Sequence, residues 1–509
     1  MSGRYPGGTG GTGNTELAPV DLLVVGGGIN GVGIARDAAG RGLSVLLAER
    51  RDLACATSSA SSKLIHGGLR YLEQYQFRLV RESLAEREVL LAAAPHLIWP
   101  LRFVLPLHAG LRPSWVLRLG LLFYDHIGGR KQLPATRALR RGRDVELLPL
   151  QDSSRRAFEY SDCWADDARL VVVNAMDARA RGARIEVGWT LTSARREGSL
   201  WRVELASQAG ASREVRARSL VNAAGPWVQD VLRVTGAQRR RTIRLVKGSH
   251  IVVPRLYEGN QAYTLQNADG RVVFMIPYEG DFTLIGTTDI AFSGDPDRLR
   301  ADAEEIDYLC AAVSAYLRHP VASSAVLWHY AGVRPLYDDG QQDASTVTRD
   351  YAFDLDAPAL GAPLLSVFGG KLTTYRKLAE HALAELLPVL GVRAAAWTRN
   401  ATLPGGDVPH GDYDAFSRDQ LARYARLPPA LIRRLCRAYG SFTERIVGSD
   451  AAGGALGAQI APQLYEAELQ YLKDHEWART SEDVLWRRSK LGLKIDAAAA
   501  ARVAAWCGG

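Results

Sequence analysis

The feature that most constrains the fold is a glycine-rich turn between a short apolar run and a helical pattern near the N-terminus. Residues 20–25 read Val-Asp-Leu-Leu-Val-Val, and Gly26-Gly27-Gly28-Ile29-Asn30-Gly31 follows directly. A helical pattern continues to Ala39, and a second apolar run at 43–48 ends in Glu49. A strand, a tight turn, a helix and a terminal acid together predict a βαβ unit that binds a dinucleotide.

Each glycine of this unit has its own physical task. Gly26 permits the tight turn, Gly28 lets the backbone approach a pyrophosphate, and Gly31 lets the helix and strand pack closely. The N-terminus of the helix offers free N–H groups to the phosphates. Glu49 can accept hydrogen bonds from the ribose. The fingerprint alone leaves open whether the ligand is NAD or FAD, and a βαβ turn without any ligand is the simpler alternative.

Several further blocks of sequence are more specific than the turn. They are ATSSASSKLIHGGLRY at 56–71, FEYSDC at 158–163, NAAGPW at 222–227, KGSH at 247–250, GTTD at 286–289, GVRP at 332–335, TRDY at 348–351 and FGGKLTTY at 368–375. Together they resemble the FAD-dependent, aerobic, quinone-linked glycerol-3-phosphate dehydrogenases. The similarity extends over nearly the whole chain from about residue 20.

The resemblance implies FAD as the cofactor and no metal. The serine-rich segment 57–62 offers hydroxyl groups suited to a pyrophosphate or a flavin edge, although a solvated loop has the same composition. Residues 371–374 open a helix whose N-terminus could stabilise a reduced flavin, although an ordinary helix start looks alike. The predicted cofactor residues are Gly26, Gly28, Gly31, Glu49, Ser58, Ser59, Ser61, Ser62, His66, Gly67, Gly225, Gly370, Lys371, Leu372 and Thr373.

The same resemblance implies a phosphorylated substrate, glycerol 3-phosphate, held by cationic side chains. Arginine suits phosphate because its planar fork grips two oxygens. The predicted substrate residues are Arg70, Tyr71, His250, Arg334, Arg349 and Lys371. Oxidation of the secondary alcohol to dihydroxyacetone phosphate needs a base near its hydroxyl. His66 and His250 are the candidate bases, and Arg334 is the expected stabiliser of the developing alkoxide because arginine is a poor base.

The length and patterning predict an α/β fold followed by an α domain. Residues 1–18 form a Gly-rich tail that we expect to be disordered. Residues 19–400 form a Rossmann-like FAD-binding domain with an inserted antiparallel-sheet substrate domain, and residues 401–509 form an all-α C-terminal cap domain. Short alternating runs at 184–190, 201–205, 251–254, 271–276 and 282–286 predict antiparallel strands. Helical patterns at 414–426, 428–438, 462–474 and 481–490 predict the cap helices.

Residues 95–143 stand out because nine basic residues and a single acid, Asp125, are interleaved with large apolar side chains. This pattern is typical of a segment that lies on an anionic lipid surface without crossing it. A core segment with a basic rim is the alternative. No charge-free apolar run reaches the length of about 18 residues that a spanning helix needs. The family implies a peripheral position on the cytoplasmic face of the plasma membrane, membrane quinone as the electron acceptor and a homodimer.

Composition narrows the function classes but does not choose among them. Five dispersed cysteines without a C-x-x-C pair argue for a reducing compartment and against a zinc site. The net charge of +8 fits an anionic substrate, a lipid surface or nucleic acid equally. We expect no nucleic-acid partner, because no recognised module is visible. Two alternatives to the quinone-linked enzyme are an oxidase of the same fold that reduces oxygen to peroxide, and a flavin-carrying nucleic-acid-binding protein.

Overall fold

The computed structural model describes residues 18–69, 72, 75–108, 113–129, 133–238, 240–338, 350–450 and 452–508. The predicted tail, apart from Ala18, lies outside these residues. The strands are β1 (Leu22–Val25), β2 (Val45–Glu49), β3 (Leu64–Ile65), β4 (Ile98–Pro106), β5 (Arg137–Arg140), β6 (Arg156–Ala165), β7 (Arg184–Val187), β8 (Trp189–Glu197), β9 (Leu200–Ser207), β10 (Ser212–Ala217), β11 (Leu220–Asn222), β12 (Ile243–Pro254), β13 (Ala262–Gln266), β14 (Val272–Tyr278), β15 (Phe282–Gly286), β16 (Ile290–Phe292), β17 (Trp328–Tyr337), β18 (Ala352–Asp356), β19 (Leu364–Phe368), β20 (Gln459–Ala461) and β21 (Leu464–Tyr465).

The helices alternate with these strands in the first 400 residues and dominate afterwards. They are α1 (Ile29–Gly40), α2 (Phe77–Ala93), α3 (Ser114–Ile127), α4 (Asp167–Ala180), α5 (Val228–Thr235), α6 (Ala303–Ser314), α7 (Tyr375–Val389), α8 (Tyr413–Arg423), α9 (Pro429–Tyr439), α10 (Thr443–Val447), α11 (Glu466–Glu476) and α12 (Ala497–Gly508).

The first sheet is the predicted Rossmann-like unit. Its six strands run in the order β18-β19-β11-β1-β2-β7, and β1 pairs in parallel with both β2 and β11. Alternate residues of β1 enter different cores: Leu22 and Val24 pack with α1, α4 and α7, whereas Leu23 and Val25 pack with α5 and the β8–β10 sheet. A sheet buried on both faces explains the unbroken apolar run of the sequence.

The second large sheet has ten strands and lies beside the first. Its central order is β16-β12-β15-β14-β13-β4-β6-β3, with β17 added to β12 and β5 added to β6. Its pairs are antiparallel except β13 with β4. One face packs on α6, and the other packs on α2 and α3. The predicted antiparallel insertion therefore exists.

Two of the predicted antiparallel strands lie outside the second large sheet. Residues 184–187 form β7, which pairs in parallel with β2 at the edge of the Rossmann-like sheet, so the antiparallel prediction was wrong there. Residues 201–205 lie in β9, which is antiparallel as predicted but belongs to a separate three-stranded sheet of β8, β9 and β10. Alternating polarity indicates which side chains are buried and does not determine strand direction or sheet membership.

The C-terminal region is mainly helical, as predicted, with one departure. Residues 459–465 form a hairpin of β20 and β21, although the helical pattern at 462–474 predicted a helix there. The predicted helix at 481–490 is a π-helical turn over Asp483–Arg488. Leu431, Leu435 and Val484 join the same apolar core as α1 and α4, so this region packs directly on the Rossmann-like unit.

The basic segment 95–143 is not a single surface element. β4 is a central strand, and Phe103 is buried in the second sheet's core. Within the described part of this segment, the large apolar side chains that are exposed all belong to α3. Among the helices of the described residues, none is both long enough and apolar enough to span a bilayer.

Candidate functional site

A cavity of about 490 Å³ extends from the glycine turn after β1 to the face of the second sheet. This volume falls within the range of 300–1,000 Å³ that is usual for small-molecule and cofactor sites. The predicted residues that line it are Gly26, Gly28, Glu49, Ser58, Ser61, Ser62, His66, Gly225, Arg334, Gly370, Lys371, Leu372 and Thr373. The cavity therefore brings together residues that lie more than 300 positions apart in the sequence.

The glycine turn is closed so tightly that side chains would not fit. Gly26 has φ +112°, and a Cβ placed there would lie 2.6 Å from the carbonyl oxygen of Ala223. A Cβ on Gly31 would lie 2.0 Å from the carbonyl oxygen of Gly26. Gly31 thus fixes the packing of α1 on the turn and lies away from the cavity, as its predicted packing task requires.

Glu49, the last residue of β2, is hydrogen-bonded to this turn. Its Oε2 accepts a hydrogen bond from the Gly27 N–H at 2.7 Å, and its Oε1 accepts one from the Arg51 N–H at 2.8 Å. Burial raises the pKa of Glu49, and these two backbone hydrogen bonds oppose the shift. Oε1 also accepts from the Cys55 thiol at 3.9 Å, whereas Oε2 keeps a second lone pair, so Glu49 can still accept a hydroxyl hydrogen from a ligand in the cavity.

The serine-rich segment is a structured part of the site and not a solvated loop. Ser58 Oγ accepts the N–H of Ile29 at 3.0 Å, which occupies one donor at the N-terminus of α1. Ser61 Oγ donates to Asp167 at 2.8 Å. Ser62 Oγ lies 2.9 Å from Nε2 of His250. Ser59 lies away from the cavity and donates to the carbonyl of Ala56 at 3.3 Å, so its hydroxyl shapes the turn.

His66 lines the cavity and Gly67 does not. The His66 ring meets the Phe274 ring edge-on, with 6.2 Å between centroids. Burial, and then the charge of Lys371, lowers the pKa of His66 to about 4, so the ring is neutral at neutral pH. A Cβ on Gly67 would lie 2.6 Å from Leu84, so this glycine is required for packing against α2 and not for approach to a ring.

His250 lies behind Ser62, away from the cavity. Its ring stacks on Tyr330, with 4.8 Å between centroids and 10° between planes. Its Nδ1 has no hydrogen-bond partner among the residues that the structure describes. Burial holds the pKa of His250 well below its ordinary value, and Arg334 and Lys63 add to this shift. His250 therefore reaches the cavity only through the hydroxyl of Ser62.

Arg334 and Lys371 supply positive charge to the lining of the cavity. The Arg334 guanidinium forms an ion pair with Asp289 and donates to Thr287 Oγ1 at 3.2 Å. Lys371 lines the cavity just before α7, and its positive charge contributes to the lowered pKa of His66. Three further residues predicted at the substrate, Arg70, Tyr71 and Arg349, lie outside the described residues.

The structure adds cavity residues that the sequence analysis missed. Arg50 stacks on the ring of Trp227 at 4.0 Å, beside the glycine turn. On the second sheet, the same-face pairs Thr264–Phe274 and Gln266–Val272 of β13 and β14 form a wall. The alternation within these strands identifies the two faces, but nothing in it indicates which face borders a cavity. The missed residues include Arg50, Arg51, Tyr160, Trp189, Thr190, Leu191, Trp227, Asp230, Thr264, Gln266, Val272, Phe274, Thr287 and Asp289.

Residues 21–376 match the family model described as FAD dependent oxidoreductase, and residues 396–507 match the model described as C-terminal domain of alpha-glycerophosphate oxidase.

Among individual proteins, the D-erythritol 1-phosphate dehydrogenase of Brucella abortus is 52% identical, with 96% of this chain and 98% of the relative covered. The aerobic glycerol-3-phosphate dehydrogenase of Escherichia coli is 50% identical, with 96% and 97% covered. The X-ray structure of glycerol-3-phosphate dehydrogenase from Bacillus halodurans complexed with FAD has a TM-score of 0.73 and 29% identity, covering 93% of this chain and 86% of that one.

Proposed function

Because this chain belongs to the family of FAD-dependent glycerol-3-phosphate dehydrogenases and its cofactor is FAD, we propose that it oxidises sn-glycerol 3-phosphate to dihydroxyacetone phosphate and passes the electrons to membrane quinone. The single observation that carries the substrate proposal is the continuous cavity. It is lined by the glycine turn and by two cationic side chains, Arg334 and Lys371.

The residues of the cavity fit FAD. Gly26 and Gly28 both border the cavity and leave it free of side chains at the turn. Oδ1 of Asn30 borders the same space, is buried and has no hydrogen-bond partner among the described residues. Glu49 would take the ribose, and Gly370 to Thr373 would surround the flavin end ahead of α7. Bound FAD supplies the hydride acceptor of the reaction.

The two cationic side chains of the cavity, Arg334 and Lys371, suit a phosphate ester and a developing alkoxide. Oxidation removes a hydride from C2 and a proton from its hydroxyl, which leaves a ketone. Arg334 is held by Asp289 with its fork at the cavity wall, so it is ready to stabilise negative charge on the substrate oxygen. Lys371 offers a second cation within the same lining.

We assign the base to His66 and not to His250. His66 borders the cavity, whereas His250 lies behind Ser62. The depressed pKa keeps His66 neutral and able to take the hydroxyl proton at neutral pH. With a pKa of about 4, a protonated His66 gives up its proton at neutral pH, which returns the ring to its neutral form.

A second candidate substrate is D-erythritol 1-phosphate, which is favoured by the relative from Brucella abortus. That relative and the one from Escherichia coli differ by only two percentage points in identity to this chain, 52% against 50%. Both names describe a phosphorylated polyol, so the reaction type is common to the two proposals. The two substrates differ by one CHOH unit.

The test is anaerobic mixing of the FAD-loaded protein with each polyol phosphate in separate reactions. Bleaching of the flavin band near ~450 nm identifies the substrate, because reduction removes that absorption. We expect faster bleaching with sn-glycerol 3-phosphate than with D-erythritol 1-phosphate, and no bleaching with glycerol. A flavin spectrum that neither phosphate bleaches would overturn the proposed reaction. Faster bleaching by the four-carbon ester would replace the first substrate with the second.

The acceptor is tested by adding a short-chain quinone to the reduced enzyme. Rapid return of the flavin spectrum without oxygen supports the quinone proposal. Peroxide formed in proportion to substrate, without quinone, would instead favour an oxidase. Binding to tRNA or duplex DNA no tighter than that of an unrelated basic protein, over a series of salt concentrations, would exclude the nucleic-acid alternative.

We propose that α3 is the part that meets an anionic membrane. It displays Trp115 (69% exposed), Leu119 (60%), Leu122 (54%) and Phe123 (44%) along one side, and Arg118 is exposed among them. Phe77 of α2 extends this apolar surface, with 5.6 Å between its ring centroid and that of Phe123. A mixed apolar and basic helix of this kind binds anionic lipid without crossing it. The cytoplasmic face of the plasma membrane and a homodimer are further proposals that rest on the resemblance.

A further inference from the structure

The C-terminal region is joined to the cofactor site by a buried ion pair. Arg488 is fully buried, and its Nη1 and Nη2 donate to Oδ2 and Oδ1 of Asp52 at 2.7 and 2.8 Å. Arg487 donates to the same carboxylate at 2.5 Å. Asp52 lies three residues after Glu49, so a side chain near the end of the chain holds the segment that follows β2.

That segment forms one wall of the FAD cavity. Arg50, Arg51, Ala54 and Cys55 line the cavity on either side of Asp52. The Ala54 N–H donates to the carbonyl of Gly27 at 3.1 Å, which ties the segment to the glycine turn itself. The segment that Asp52 holds is therefore linked to the glycine turn by one backbone hydrogen bond, from Ala54 to Gly27.

A second contact reaches the serine-rich segment. Lys490 Nζ donates to Asp166 at 3.3 Å. The next residue, Asp167, accepts from Lys63 Nζ and Ser61 Oγ, both at 2.8 Å, and these three side chains are largely buried. Ser61 lines the cavity. Two segments of the cofactor site are thus held from the C-terminal region at separate points.

The contacts belong to a network that has little freedom to move. Arg488 Nη2 also donates to the carbonyl of Glu476 at 2.6 Å, and the Glu476 carboxylate pairs with Arg169 of α4. Both charged ends of the Arg169–Glu476 pair are buried. A buried charge must keep its partner, because an unpaired one is strongly disfavoured. Displacing the C-terminal region would therefore leave several buried charges without their partners.

From these contacts we propose that the C-terminal region acts as a clamp on the FAD site. Arg488 and Lys490 are positioning residues that hold residues 50–56 and 57–63 in the conformation that binds FAD. By linkage, FAD must in turn stabilise the docking of the C-terminal region, since coupling between two sites is reciprocal. This proposal rests on FAD binding and is independent of the substrate proposed above.

The test compares two double substitutions that each remove a bidentate ion pair made by an arginine of the C-terminal region. The Asp52→Asn/Arg488→Gln variant removes the pair that reaches the cofactor site, and Arg487, which also contacts Asp52, keeps Glu482 and Asp483 as partners. The Arg434→Gln/Glu468→Gln variant is the matched control, because that pair is buried within the C-terminal region at 2.6–2.7 Å. FAD affinity is measured by titrating each apoprotein with FAD and following the quenching of flavin fluorescence.

We expect the first variant to bind FAD more weakly by roughly 5- to 150-fold, the usual range of coupling between sites, and the control to bind as the unmodified protein does. Equal affinity in all three proteins, or an equal loss in both variants, would overturn the proposal. Lys490→Met is a milder substitution, because Asp166 is partly exposed and stays hydrated. It should weaken FAD binding in the same direction if the double variant does not fold.

Hydrogen exchange supplies a readout that does not involve activity. In the unmodified protein, FAD should increase protection of the amides in Asp483–Arg488 and α11. The increase should be smaller in Asp52→Asn/Arg488→Gln and unchanged in the control variant. Identical protection of these amides with and without FAD in the unmodified protein would contradict the clamp.

Discussion

Arg334 on β17 and Asp289 after β15 form an ion pair at the wall of the cavity. The glycine at position 248 makes room for the pair, since a Cβ there would lie 2.7 Å from Nη2 of Arg334. Nη2 also donates to Thr287 Oγ1 at 3.2 Å, so both ends of the guanidinium fork are engaged. The arginine therefore has a fixed orientation before any substrate binds.

Removing this arginine should impair turnover and leave FAD in place. We expect Arg334→Ala to lower kcat by roughly 100- to 1,000-fold, the usual effect of losing one donor to a developing oxyanion. FAD content, measured from the absorption ratio of flavin to protein, should not change, because Arg334 belongs to β17 of the second sheet and its partners are Asp289 and Thr287, outside the glycine turn. A kcat equal to that of the unmodified enzyme would exclude Arg334 from the reaction.

The partner of Arg334 should matter less, and in a different way. Asp289→Asn keeps the shape and loses the charge, so Arg334 remains but is no longer fixed. We expect a loss in kcat of about tenfold, since a small misplacement of a catalytic group already costs up to about 100-fold. Arg334→Ala/Asp289→Asn should be no slower than Arg334→Ala alone. Additive losses in the double variant would show that Asp289 acts independently of Arg334.

The pKa of His66 makes a prediction for the pH profile. Burial lowers this pKa to about 4, and a base must be unprotonated to act. The value of kcat/KM should therefore stay level between pH 8 and about 6 and fall as the pH decreases toward 4. His66→Asn should lower kcat by roughly 100- to 10,000-fold and abolish that limb of the profile. A limb near pH 6.5 that survives in His66→Asn would assign the base elsewhere.

Much of the fold could be predicted because local physics determines it. The glycine turn, with its strand, helix and terminal Glu49, predicts the Rossmann-like unit, and the structure and comparisons confirm that unit and FAD. The antiparallel insertion and helical C-terminal region are also present. Sheet membership could not be predicted for β7 and β9, because it depends on contacts between distant segments.

Fewer residues of the candidate site than elements of the fold could be predicted from the sequence. Residues at the glycine turn follow from backbone requirements alone, and so does the packing task of Gly31. By contrast, Gln266 and Phe274 become cavity residues only because β13 and β14 lie opposite the Rossmann-like unit. The ion pair of Asp52 and Arg488 joins residues 436 positions apart, and neither pattern nor spacing indicates it.

The exposed side of α3 gives a prediction about membranes. Replacing Trp115, Phe123 and Arg118 together by serine should release the protein from anionic vesicles, because the substitution removes two large apolar contacts and one charge. Dye-linked activity should survive, since these residues lie away from the cavity. Substituting the exposed residues Val145, Leu148 and Leu360 by serine is the control, and it should leave vesicle binding intact. Vesicle binding that persists in the α3 variant would place the membrane contact elsewhere.

The last prediction concerns which polyol the cavity prefers. Gln266 lines the cavity on β13, and its Oε1 is buried without a hydrogen-bond partner among the described residues. Its neighbour on the same face, Thr264, is already paired with the Tyr160 hydroxyl at 2.9 Å. A buried acceptor costs free energy unless a donor reaches it, and a substrate hydroxyl is the available kind of donor.

Gln266→Leu should therefore lower kcat/KM by roughly 5- to 150-fold for the polyol phosphate whose hydroxyl reaches it, since losing such a bond costs about 1–3 kcal/mol. We expect a larger loss for D-erythritol 1-phosphate than for sn-glycerol 3-phosphate, because the longer chain carries one more hydroxyl toward this wall. Tyr160→Phe serves as the comparison, since it disturbs the paired Thr264 and leaves Gln266 in place. If the ratio of kcat/KM for the two esters is the same in Gln266→Leu as in the unmodified enzyme, this wall does not contribute to substrate choice.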